Sequence, residues 1–188
     1  YAQNNFEMIL NLSFYCLAIA FIFFGLDDLF VDVYSLLHRV RPRELRSSDL
    51  EAMRQRKESK IAIVVPAWDE GGIIERMLSG NCSSIDYSTY HFFVGCYPND
   101  ESTIKAVQRV ASRNPNVHAI VNFKNGPTSK GQILNWVFDS VLDWEVQSGC
   151  KFDIFLMHDS EDVIHPLSLK LINDAMDRYE FVQIPVFS

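Results

Sequence analysis

No lysine or arginine occurs before Arg39 in this 188-residue chain, and no charge of either sign falls within residues 8–26, MILNLSFYCLAIAFIFFGL. A signal peptide carries a positive start and a small-residue cleavage site; neither is found, so the run does not read as a leader. It is about long enough to cross a bilayer, a buried core helix being the other reading. Arg39, Arg41, Arg43 and Arg46 then crowd into HRVRPRELR, and the positive-inside rule puts everything after them in the cytoplasm. Basic charge is scarce overall. The formal net charge is -7, which speaks against a duplex DNA or RNA partner. The four cysteines, Cys16, Cys82, Cys96 and Cys150, form no C-x-x-C pair and no zinc-like spacing. They read as reduced, mostly buried thiols of a cytosolic compartment. Long repeats and low-complexity tracts are also missing.

At 48% hydrophobic the chain can build the core of one domain. It starts at Tyr1 and stops just after FVQIPVF, which reads as the N-terminal part of a longer protein. Three stretches are expected. Residues 1–40 hold the membrane span and a helix lying along the membrane surface, with Leu29, Phe30, Val33, Leu36, Leu37 and Val40 at helical spacing and Asp27, Asp28 and Asp32 as its wet face. Residues 41–59 form a polar linker, partly helical, with Ser47 or Ser48 as N-cap. Residues 60–188 carry the domain.

In that domain strand and helix patterns alternate. KIAIVVP, YHFFVGCYP, NVHAIVNF and KFDIFLM read as strands, and EFVQIPVF as the opening of a fifth. Between them GIIERMLSG, DESTIKAVQRVASRNP, SKGQILNWVFDSVLDWEVQ and PLSLKLINDAMDRY have helical spacing, with a capping box from Ser129 to Gln132 and Pro166 in the last helix's first turn. This order predicts an α/β fold, a mostly parallel sheet covered by helices. Ligands of such sheets bind at the carboxyl ends of the strands. The chemically unusual residues fall there: AWDE (67–70), YPND (97–100), KNGPTSKG (124–131) and HDSED (158–162).

GPTSKG is not a phosphate loop, because Lys130 precedes Gly131 instead of following it. A Gly/Ser/Lys turn opening a helix still offers amides and a cation to an anion. Trp68 at a strand end suits stacking on a base, with Asp69 or Glu70 accepting from a sugar hydroxyl; packing is the plainer reading. In HDSED, Asp159 and Glu161 flank one residue and in an extended strand end would point to one side. Two carboxylates suit Mg²⁺ or Mn²⁺. His158 falls opposite and reads as packed.

Together these residues resemble the family 2 glycosyltransferases of the GT-A (Rossmann-like) fold. VVPAWDE is similar to the family's strand ending in P-x-Y-N-E, KGQILN (130–135) to K-G-x-x-L-N, and Asp159-Ser160-Glu161 to its D-x-D pair. FVQIP (181–185) resembles the F-V-Q-T-P of processive, cellulose-synthase-like members, and MHDSEDVIHP the phage-adsorption branch of the bacterial inner membrane. The chain departs from the family at GCYPND, where Cys96 stands in place of an acid that contacts the base and only Asp100 remains.

The resemblance implies inverting transfer of a sugar, for instance an N-acetylhexosamine, from a UDP-sugar to a growing glycan in polysaccharide synthesis. Ala67, Trp68, Asp69, Glu70, Asp100, Lys130 and Ser160 would bind the nucleotide-sugar, and Asp159 and Glu161 a Mg²⁺ or Mn²⁺ ion. Gln183 would lie on the side of the acceptor or donor sugar, with the general base and the Q-x-x-R-W segment after Ser188. Implied partners are the donor, the glycan acceptor, the bilayer and envelope export proteins, with no nucleic acid. Three other readings stay open: an inactive scaffold serving as a binding or receptor component of an envelope assembly; a nucleotidyltransferase on a similar sheet; and an HD-type phosphohydrolase using His158-Asp159, although such dyads sit on helices and this one follows a strand.

Overall fold

The structure, a computed structural model, describes residues 2–38 and 45–184, with side chains from Asn5 onward. Two compact units result, Tyr1–Arg46 and Ser47–Ser188. In the first, α1 (Ala2–Leu37) is one helix of 36 residues, about 54 Å long at a rise of ~1.5 Å per residue. Its segment Asn5–Leu37 can cross a membrane by length and composition. The polar Ser13 is satisfied inside the helix, its hydroxyl donating to the Ile9 carbonyl at 2.9 Å. The backbone continues unbroken past Asp27 and Asp28, so no separate surface helix begins there. Arg39, Arg41 and Arg43 lie outside the described residues.

The second unit contains α2 (Ser47–Gln55), β1 (Ile61–Pro66), α3 (Ile74–Ser84), β2 (Tyr90–Cys96), α4 (Glu101–Ala111), β3 (Val117–Val121), α5 (Lys130–Ser148), β4 (Ile154–Met157) and α6 (Ser168–Met176). All pairings are parallel, in the order β3-β2-β1-β4. The run of apolar residues in β1 is explained by this placement: a central parallel strand is covered on both faces. Ile63, Val65, Phe92 and Val94 pack with α3, α4 and α6 on one side, and Ala62, Val64 and Phe93 with α5 on the other. Gly95 lets α5 lie close, since a Cβ there would sit 2.5 Å from Val137 Cγ2. Every strand points its carboxyl end to the same edge, and that edge carries the site.

Several expectations change. From Ser47 the 41–59 stretch is folded into the domain. Arg56 pairs with Asp174 at 2.9 Å and with Asp177, Asn173 Nδ2 donates to Lys57 O at 2.9 Å, and Glu58 receives Lys170 at 3.3 Å. The anticipated strand from Glu180 is not one over residues 180–184; it pairs with no strand among the described residues, and without a ladder partner extended backbone is only a loop. Pro166 precedes α6, whose N-cap is Leu167. The cysteines are free, but only Cys96 is buried.

Candidate active site

The loops after β1 and β2 are locked together by Asp100. One carboxylate oxygen caps α4, accepting from Thr103 N at 3.2 Å and Ser102 Oγ at 3.0 Å; the other accepts from Asp69 N at 2.7 Å. Thr103 Oγ1 accepts from Glu70 N at 2.9 Å. Burial would raise the Asp100 carboxyl, but these hydrogen bonds outweigh it and hold it below its ordinary value. Asp69 thereby sits at φ 59°, a left-handed conformation that Asp tolerates better than most side chains. Cys96 lies fully buried beneath this loop, its thiol pushed up to about 12 by burial and by the charge on Asp100. It presents nothing to a ligand.

The loop before α5 is fixed by the same β2 segment. Asn99 grips the Gly126 peptide from both sides, Nδ2 donating to its carbonyl and Oδ1 accepting from its amide, each at 2.8 Å. Tyr97 Oη meets Thr128 Oγ1 at 2.6 Å. Gly126 is required by closeness, because a Cβ would stand 2.5 Å from the Tyr97 ring and 2.8 Å from Trp68. Trp68 stands edge-on to Tyr97, centroids 5.3 Å apart, and remains exposed. Ser129 caps α5, accepting from Gln132 N at 3.3 Å, so Lys130 starts the helix where first-turn amides lack intrahelical partners.

The acid loop after β4 is a turn, not an extended strand end. Asp162 N donates to Asp159 O at 3.3 Å, and Asp162 Oδ2 accepts from Asp159 N and from His158 Nδ1, each at 2.9 Å. The expected side-by-side projection of Asp159 and Glu161 from a strand therefore fails, because Asp162 closes the turn on itself. Both still face the same pocket. Burial would raise the Asp162 carboxyl, but its bonds to Asp159 N and His158 outweigh that and hold it below its ordinary value. Asn81, buried on α3, clamps the loop by donating to Asp162 O and accepting from Ile164 N, both at 2.9 Å. Lys130 Nζ donates to Asp159 Oδ1.

The strand-end loops border an open cavity of about 360 Å³. Of the residues singled out in the sequence, Ala67, Trp68, Glu70, Lys130, Asp159, Ser160 and Glu161 line it, joined by Pro66, Tyr97, Pro127, Thr128 and Ile133. Asp69, Asp100 and Gln183 do not. The Asp100 carboxylate is spent on the loop clasp, to which Asp69 contributes its backbone amide, and Gln183 is exposed on the segment after α6. Tyr97 falls in the YPND segment but carries no expected role, and Asn81 lies outside every motif. Asn81 left a signal, being a polar residue on the Ile74–Met77–Leu78 stripe of α3.

Among the described residues no group of three or more His, Cys, Asp or Glu gathers as a metal site. Of the three carboxylates that line the pocket, Asp159 and Glu161 come from one loop, and that pair fits Mg²⁺ or Mn²⁺, which take one or two carboxylates and complete their shell with water and phosphate oxygens. Asp159 already holds an ammonium, so the position accepts positive charge. The pocket thus offers an aromatic face, a helix N-terminus with a lysine, and a paired-acid corner, a combination able to hold a base, a diphosphate and a cation.

A family model described as Glycosyltransferase like family 2 matches residues 58–188. Bacteriophage adsorption protein B of Escherichia coli K12 is 39% identical over 176 residues, 91% of this chain and 24% of that protein, and the bacteriophage N4 adsorption protein B of strain O157:H7 matches equally. The chain thus spans about a quarter of the length of these curated relatives. Among solved structures, a mannosyltransferase of Pyrobaculum calidifontis in complex with GDP-Man and Mn²⁺ aligns at TM-score 0.49 and 15% identity, over 69% of this chain and 38% of that one. S. aureus TarS 1-349 aligns at 0.48 and 18%, over 64% and 33%.

Proposed function

The chain belongs to the Glycosyltransferase like family 2, and from that premise we propose that it is the donor-binding part of a membrane-anchored inverting glycosyltransferase that moves a sugar from a UDP-sugar to a growing glycan. What supports this most is the convergence, in one cavity, of Trp68, Glu70, Lys130, Asp159 and Glu161 from the segments that follow three different strands, β1, β3 and β4. Trp68 offers the base a stacking surface. Glu70 accepts from the ribose hydroxyls, and the buried Ser160 shapes the floor between the acids. Lys130 and the amides of the α5 N-terminus hold the diphosphate. Asp159 and Glu161 would hold a divalent cation, which when bound neutralises charge on the departing diphosphate. Asp69 and Asp100 act behind the pocket by fixing its wall, and Gln183 belongs to the acceptor side. α1 anchors the protein in the bacterial inner membrane, with the domain in the cytoplasm.

The test is calorimetric titration of UDP into the full-length protein with and without Mn²⁺. Tight binding that depends on the metal is expected; equal affinity in both conditions overturns the assignment of the acids. A second reading takes its cue from the adsorption role in the relatives' names and from Cys96 in place of a base-contacting acid: an inactive scaffold serving as a binding component of an envelope assembly. Metal-dependent UDP-sugar turnover by the same preparation excludes it.

A further inference from the structure

The Lys130–Asp159 pair has a consequence for the order in which the pocket fills. Lys130 is the only cation lining the cavity among the described residues, against Glu70, Asp159 and Glu161. Its ammonium is bonded to Asp159 Oδ1, an oxygen that the reading above gives to a divalent cation. One oxygen edge cannot serve both partners at full strength, and an ammonium and a divalent ion on the same carboxylate repel. The two side chains are 52% and 49% exposed, so the pair is a solvated one and easily broken. The Lys130 backbone, by contrast, is set by the Ser129 cap at the start of α5. The ammonium therefore moves on a flexible stem about a fixed root.

We infer that Lys130 is a displaceable counter-ion, which closes the Asp159 corner while the pocket is empty and is handed to the diphosphate when the metal arrives. This rests on the glycosyl-transfer reading and adds to it a coupling between two ligands. Metal alone must evict Lys130 and leave it facing a doubly charged neighbour. Diphosphate alone meets three carboxylates while the lysine is occupied. Metal and diphosphate together resolve both conflicts, because the released ammonium finds phosphate oxygens beside it. Each ligand must then raise the affinity of the other by the same factor.

The coupling makes Lys130 substitutions act in opposite directions on the two ligands, which a merely structural lysine would not do. The experiment measures Mn²⁺ binding alone, and then UDP and GDP binding at saturating Mn²⁺, on the full-length protein and on Lys130→Gln and Lys130→Arg, with thermal melts to confirm folding. Lys130→Gln is expected to bind Mn²⁺ alone about fivefold more tightly, on the order of a lost surface ion pair, and the metal-loaded diphosphate about tenfold more weakly. Lys130→Arg, whose fork grips a carboxylate more firmly, is expected to bind Mn²⁺ alone less well than the wild type. No gain in Mn²⁺ affinity in Lys130→Gln, including binding in neither protein, overturns the inference. A wild type that binds neither nucleotide with Mn²⁺ present overturns the glycosyl-transfer reading instead, so the two failures are told apart.

Discussion

Two aspartates flank β1 at its carboxyl end, Asp100 after β2 and Asp159 after β4, and they are used in opposite ways. Asp100 is buried, and its oxygens are filled by the backbone of Asp69 and Thr103 and the hydroxyl of Ser102. Asp159 is half-exposed, and the partner of its carboxylate is the end of a flexible side chain. A carboxylate bonded to backbone amides fixes the chain and is not free for a ligand. One bonded to an ammonium can exchange it. Residue type alone does not separate the two; the partners do. The acid loop repeats the division internally, with Asp162 closing the turn and Asp159 facing the pocket.

Three measurements would break or sharpen this contrast. The largest effect is expected at Asp159. Asp159→Asn should weaken Mn²⁺-dependent UDP binding about 100-fold while leaving the thermal melt nearly unchanged, and Asp162→Asn should weaken it less. A harsher loss of binding at Asp162 would reverse the roles. Next comes Asp100→Ala, which strips an N-cap and leaves the Asp69 amide without its partner. A loss of about 2 kcal/mol in denaturant unfolding is expected, with an unchanged stability showing the clasp to be idle. The smallest effect extends the contrast to histidine. His118 lies among Phe93, Trp144 and His91, bonded to His91 at 2.9 Å, and burial together with the charge of His91 lowers its pKa to about 4. An unfolded chain takes up that proton near pH 6.5. The stabilising effect of keeping His118 neutral is therefore complete above about pH 6.5 and fades as pH falls towards 4, by on the order of 1 kcal/mol. The depressed Asp100 and Asp162 act lower, their contribution present above the ordinary carboxylate value and lost as pH drops through their own. Melting curves between pH 7 and 4.5 should show a slope that His118→Asn flattens and Asp100→Asn does not.

The alternation of strand and helix was legible because both periods are strong: Ile61–Val65 is a continuous apolar run, and α4 carries Thr103, Ala106, Val107 and Val110 on its buried side. From the alternation followed the parallel sheet, and from the sheet the edge where ligands bind. The Ser129 cap was legible too, being local. What could not be read was pairing at a distance. Lys130 and Asp159 are 29 positions apart, and Asn81 meets Ile164 across 83; no spacing rule connects them. The partners of Asp100 are likewise hidden, because sequence cannot tell which donors a carboxylate will find. α1 runs on past Asp27 for another reason: acids on a helix surface do not break it, and Gly25 just before them lies within the same unbroken helix.

The stitching of residues 57–59 onto the domain bears on how a soluble version should be cut. Lys170 has a side chain only 11% exposed, and it faces Glu58 at 3.3 Å and Asp86 at 3.6 Å. Glu58 also receives the Ser88 amide at 2.8 Å, while Ser59 O takes the Tyr87 hydroxyl at 2.8 Å. A version trimmed to begin at β1 would leave an interior cation with one distant carboxylate and a tyrosine hydroxyl without its Ser59 carbonyl. Trimming to Ser47 removes the apolar α1 and keeps α2, Arg56 and Glu58 in place. The boundary that suits crystallisation is thus set by an ion pair and lies ahead of the first strand.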